Sequence, residues 1–73
     1  MEFNFGLLKQ TIKAQYGSNY KFAESLGIPK QRLSRLLNNQ SEWNPSLIYE
    51  TAEKLGVWND LKLYFFTPQV HND

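Results

Sequence analysis

The stretch FAESLGIPKQRLSRLLNNQ, from Phe22 to Gln40, holds two helical runs that meet at Gly27, with Pro29 almost immediately after. This break constrains the fold more than any other feature of the chain. Glycine permits the left-handed backbone that ends a helix and turns the chain without steric penalty. Proline suits the first position of the next helix, where no amide donor is needed. Phe22, Ala23 and Leu26 form the inward stripe before the break, and Leu33, Leu36 and Leu37 form it afterwards. Ile28 is placed to plug the corner. Two helices packed through a short glycine-containing turn form a helix-turn-helix, here over about residues 18–38. The first helix braces the second, which projects a polar flank. Gln31, Arg35 and Asn38 lie opposite the leucines, Arg32 and Ser34 flank them, and Lys30 sits in the exposed first turn.

The remaining pattern is helical as well. A first helix is expected from Phe5 to about Gln15, capped by Asn4, with Phe3 and Leu8 spaced as a hydrophobic staple and Gly17 as its end. Ser18 caps the second helix. Asn44-Pro45 starts a fourth, whose apolar face is Leu47, Ile48, Thr51, Ala52 and Leu55 and which stops at Gly56. The segment from Trp58 to Phe66 fits a helix through Trp58, Leu61 and Phe65, and a strand through Leu61, Leu63 and Phe65. The helix is favoured, because Asn59 and Asp60 support its start. Pro68 ends it. The expected fold is all-α: a compact five-helix domain over residues 1–67, followed by a flexible tail over 68–73.

With 73 residues the chain suits one domain, and 41% apolar residues suffice for a small core. Cysteine is absent, so neither disulfides nor thiol chemistry is available, which fits a reducing compartment. One histidine, His71 in the expected tail, gives no metal-ligand pattern, and no metal or other cofactor is expected. No apolar run is long enough to span a membrane, and no basic segment precedes a long apolar one at the N-terminus. A cytoplasmic location is expected. Without a cysteine nucleophile, a glycine-rich phosphate loop or a histidine–carboxylate constellation, neither an enzyme nor a small-molecule substrate is expected. Net charge is +1, but six basic residues and only Glu24 on the acidic side lie between Lys9 and Arg35. From Leu36 onward, two basic residues face five acidic ones. The first half is therefore where a surface for an anionic partner would form.

In DNA-binding helix-turn-helix proteins the second helix enters the major groove and reads base edges. Arginine matches guanine and glutamine matches adenine through paired hydrogen bonds. Gln31 and Arg35, four residues apart, share a face and have the reach. On FAESLGIPKQRLSRLLNN the chain resembles the Cro- and phage-repressor-like helix-turn-helix family. Ala23, Gly27, Ile28 and Leu33 stand at that family's small, turn, corner and buried positions, and NPSLIYETAEKLGV looks like its fourth helix. The resemblance implies a compact regulator from a bacterium or its phage that binds double-stranded operator DNA. It implies base-facing roles for Lys30, Gln31, Ser34 and Arg35, a phosphate contact at Asn19, and positions near the DNA backbone for Arg32 and Asn38. Two features depart from the family. The charge is low for affinity based on phosphate neutralisation, and Pro29 replaces a side chain that contacts DNA in some relatives.

The C-terminal VWNDLKLYFF is rich in aromatics. Trp58 and Phe65 are expected to complete the core, leaving Leu63, Tyr64 or Phe66 exposed as a partner or dimer contact. Family members often dimerise here, so a homodimer is implied. A second reading belongs to another class: a protein-interaction module of the same fold that binds a partner repressor and modulates it, with little or no DNA contact. Near-neutral charge and the aromatic end favour that reading.

Overall fold

The computed structural model describes residues 2–69, which form an all-α domain of five helices. They are α1 (Gly6–Tyr16), α2 (Asn19–Leu26), α3 (Lys30–Leu37), α4 (Pro45–Leu55) and α5 (Leu61–Phe65), with one 3-10 turn (Trp58–Asp60) leading into α5. Helix α1 packs against α2, α4 and α5, and α2 packs against α3. The core joins Leu8 and Ile12 of α1, Phe22 and Ala23 of α2, Leu33 and Leu37 of α3, Ala52 and Leu55 of α4, and Phe65 of α5. Thr51 is fully buried beside them.

Local signals set most helix ends. The Ser18 hydroxyl accepts from the Lys21 amide at 3.2 Å, and the Asn44 carboxamide oxygen accepts from the Leu47 amide at 2.8 Å. Gly27 adopts φ +73°, and the amides of Gly27 and Ile28 each donate at 3.1 Å, to Glu24 and Ala23 carbonyls respectively. This paired closure is the Schellman arrangement, which turns the chain out of α2. Helix α3 closes in a related way without glycine. Asn39 takes φ +61°, and the Gln40 amide donates to the Arg35 carbonyl at 2.8 Å.

Two starts lie one residue later than the sequence suggests. Helix α1 begins at Gly6, because Asn4 turns its side chain onto the Gly6 amide at 2.8 Å, and Phe5 is thereby drawn into the core instead of the first turn. A Cβ on residue 6 would lie 3.0 Å from that Asn4 oxygen, so glycine leaves room for the bond. Pro29 precedes α3 with extended backbone (ψ 147°) instead of occupying its first position.

The C-terminal segment is helical, but its packing differs from expectation. Phe65 is buried, whereas Trp58 is 42% exposed, held at the surface by a 3.1 Å hydrogen bond from its indole N–H to Glu53 and by edge contact with Tyr49. Trp43, from the loop between α3 and α4, takes the inward place and packs against Phe5 and Phe65. The ordered fold also runs past residue 67. Phe3 and Pro68 form an antiparallel bridge, flanked by bonds from the Asn4 amide to the Thr67 carbonyl (2.7 Å) and from the Gln69 amide to the Glu2 carbonyl (3.0 Å). Pro68 and Gln69 are thus tied to the N-terminal segment; residues 70–73, with His71, lie outside the described residues.

Candidate nucleic-acid interface

Helix α3 is divided lengthwise by its leucines. Leu33, Leu36 and Leu37 are at most 2% exposed, so the helix is fixed in rotation about its own axis. Lys30, Gln31, Arg32, Arg35 and Asn38 all lie exposed, and Ser34 is half-buried between the two sides. Eight residues span about 12 Å, so Gln31 and Arg35 form one row a single helical turn apart. No carboxylate interrupts α3.

Two members of this set are engaged with their neighbours. The Asn38 amide nitrogen donates to the Ser34 carbonyl at 2.8 Å and approaches the Ser34 hydroxyl at 3.4 Å. The Asn38 oxygen accepts from Lys9 Nζ at 3.3 Å, tying the end of α3 to α1. Asn38 therefore ties the end of α3 to Lys9 of α1, and Ser34 is its anchor.

Asn19 opens α2 and is half-buried. It lies in a groove with Ser18, Tyr20, Lys30 and two α1 lysines, Lys9 and Lys13. The groove is open to solvent, cationic and next to the start of α2, where backbone amides point outward. Lys9 and Lys13 extend the candidate surface beyond the residues singled out from the helix-turn-helix pattern. Their four-residue spacing and the concentration of positive charge in the first half were the available signals. Tyr20, 58% exposed, supplies a flat apolar side chain to the same groove.

The C-terminal contact residues separate. Leu63 and Phe66 are 53% and 45% exposed. Tyr64 is not an exposed contact: it is half-buried against the core, and its hydroxyl lies 3.4 Å from the Thr11 hydroxyl. That hydroxyl pair needs the ring folded down along α1, which removes most of it from solvent.

Among the described residues, no helix is long and apolar enough to cross a membrane, and no cluster of His, Cys, Asp or Glu is arranged to hold a metal ion. A comparison with curated proteins finds no match to the chain. A family model described as "Protein of unknown function (DUF739)" matches residues 1–68, nearly the whole chain, and the protein belongs to that family.

Proposed function

We propose that the protein is a small DNA-binding transcription regulator of the Cro and phage-repressor type, which reads operator DNA in the cytoplasm through α3. The observation that carries this reading is the division of α3: buried leucines on one side, and exposed Lys30, Gln31, Arg32 and Arg35 on the other with no carboxylate among them. Gln31 and Arg35 are assigned to base edges, since each pairs with a base through two hydrogen bonds in a plane. Lys30 and Arg32 lie beside them, toward bases and phosphates. Asn19, Lys9 and Lys13 line a groove of the right charge for a phosphate. Ser34 and Asn38 maintain the shape of the helix end, with Asn38 next to the backbone. A homodimer would place two such helices on half-sites about one turn of duplex apart.

The test begins with selection from a pool of duplexes carrying a randomised core of about 20 base pairs, two helical turns. Retained duplexes are then titrated in gel shifts at rising salt. Enrichment of a sequence and a linear fall of log affinity with log salt are expected, each neutralised phosphate contributing a slope of about −0.9. Failure to retain any duplex at low salt overturns the reading.

A second reading draws on a different observation: Leu63 and Phe66 are exposed apolar side chains at the C-terminal end. In it the fold is an interaction module that binds a partner repressor and modulates it, without using DNA. Co-purification of a repressor, together with absence of duplex retention, favours it over the first.

A further inference from the structure

Five aromatic side chains close into a ring at the end of the domain where the segment around Phe3 pairs with that around Pro68. Its successive pairs are Phe3–Phe5, Phe5–Trp43, Trp43–Phe65, Phe65–Phe66 and Phe66–Phe3, with centroid separations of 6.4, 6.0, 5.1, 6.5 and 5.7 Å. Two of the pairs stand nearly perpendicular, Trp43–Phe65 at 82° and Phe3–Phe66 at 89°. All five line one cavity of about 320 Å³, near the lower end of the range for ligand pockets. Phe5 and Phe65 are buried and make its floor, Phe3 and Trp43 are half-buried walls, and Phe66 is the exposed rim.

The charged side chains of the cavity have one sign. Glu2 and Glu42 line it and are exposed, and none of the described lining residues is basic. Aromatic faces carry negative potential and attract cations, most strongly where water is excluded. Carboxylates at the mouth act in the same direction. The cavity therefore combines an aromatic wall for a cation's stem with carboxylates for its charge.

The wall is also held in place. The Asn39 side chain accepts from the Phe3 amide at 3.1 Å and donates to the Phe3 carbonyl at 2.8 Å, while Phe3 bridges to Pro68 on its other edge. Both edges of this short segment are occupied, so Phe3 is fixed across the opening. A preformed cage loses less freedom on binding than one assembled by its ligand.

We propose that this cage binds the side chain of an arginine or lysine presented by a partner protein. The guanidinium or ammonium sits against the Phe3, Trp43 and Phe66 rings, over the buried Phe5 and Phe65, and faces Glu42 and Glu2. Among cationic side chains arginine fits best, because its flat guanidinium both stacks on rings and pairs with carboxylates. The cage shares no lining residue with the α3 face or with the lysine groove, and it is independent of how those surfaces are used.

The test is a nuclear magnetic resonance titration of the full chain with N-acetyl-arginine methylamide. The chain has two tryptophans, and Trp58→Phe assigns the Trp43 indole signal. The arginine probe is expected to shift the Trp43 indole N–H and the Phe3 amide along a saturating curve. N-acetyl-norleucine methylamide, with the same carbonyls and no charge, is expected to bind at least several-fold more weakly. Glu42→Gln, at an exposed position that leaves the fold intact, should weaken the arginine probe about two- to five-fold. Equal saturation by the norleucine probe, or indifference to Glu42→Gln, identifies an ordinary apolar cleft and overturns the proposal. Saturation by tetramethylammonium without the arginine probe overturns the protein partner in favour of a free organic cation. Absence of saturation by all three probes overturns the cage as a site. No duplex takes part in the titration, so these outcomes are independent of whether α3 binds DNA.

Discussion

The α2–α3 unit and the end of the domain where Phe3 bridges to Pro68 are stabilised by different means. Across the former, each structural decision is made by residues close in sequence: Ser18 caps α2, Gly27 turns the chain, and the spacing of Leu33, Leu36 and Leu37 sets which side of α3 faces water. Across the latter, neighbours in space are distant in sequence. Phe3 is clasped by Asn39 and bridged to Pro68, and Trp43 reaches both Phe5 and Phe65. The first region exposes cations and amides on a surface built locally. The second joins segments distant in sequence through aromatic packing and sets two carboxylates, Glu2 and Glu42, at a cavity. Each region leaves a differently charged surface free, so one small domain carries candidate sites for partners of opposite charge.

The largest test of this contrast is Phe65→Ala. Phe65 is 2% exposed and belongs to both the core and the aromatic ring. Its truncation should cost about 3–5 kcal/mol in urea denaturation, a large part of the about 4–11 kcal/mol expected for a domain of this length. Phe66→Ala, at the exposed rim, should cost less than about 1 kcal/mol. Equal costs at the two positions would break the division between floor and rim.

Two backbone positions sharpen the comparison at intermediate size. Gly27→Ala places a β-carbon at φ +73°, where it meets no atom within 4 Å, so its cost is conformational and should be about 1–2 kcal/mol. Gly27→Asn should recover part of that loss, since asparagine tolerates this region. Asn39→Gly is the converse. Glycine accepts φ +61°, so what is removed is the side-chain clasp on Phe3, two hydrogen bonds with a net contribution of about 1–2 kcal/mol together. Hydrogen exchange separates the two changes. Asn39→Gly should speed exchange at the amides of Phe3, Asn4 and Gln69 while leaving Ile28 protected, and uniform acceleration would show that the terminal end is not a separate local unit.

The same division decides what could be read before the fold was known. Ser18, Gly27, Asn44 and Gly56 act within a few residues of themselves, and each marks the helix end expected of it. Asn4 and Pro29 were recognisable as start signals but miss by one residue, because Asn4 bonds to Gly6 and Pro29 stays extended. The tryptophans show the limit. Trp58 and Trp43 are equally apolar, yet Trp58 is drawn outward by Glu53 and Tyr49, and Trp43 inward by Phe5 and Phe65. No periodicity in the loop around Trp43 signals this, since its partners lie far along the chain. For the candidate interface, leucine spacing was enough to say which side of α3 meets solvent. Lys9 and Lys13 join it only through the way α1 crosses the start of α2, and a helical wheel of α3 does not contain that information.

The smallest expected effect on folding falls on α3 itself. Arg35 is exposed, and its neighbours in the helix are fixed by buried leucines on the other side. Arg35→Ala should therefore change unfolding free energy by no more than about 0.5 kcal/mol. Its effect on a selected duplex should be larger, a loss of about 1–3 kcal/mol concentrated at one base position. The salt dependence adds a second criterion. If Arg35 contacts a base, the salt slope of the variant stays near that of the parent while discrimination at that position relaxes. If it contacts a phosphate, affinity falls for all sequences alike and the slope shrinks by about one phosphate's worth. Lys13→Ala supplies the reference for the second pattern, since Lys13 lies in the groove beside the start of α2 and is proposed to meet phosphate alone. Identical behaviour of the two variants would remove Arg35 from base recognition. A base-specific loss at unchanged stability would instead connect the locally built surface of α3 to sequence readout, with no contribution from the aromatic end.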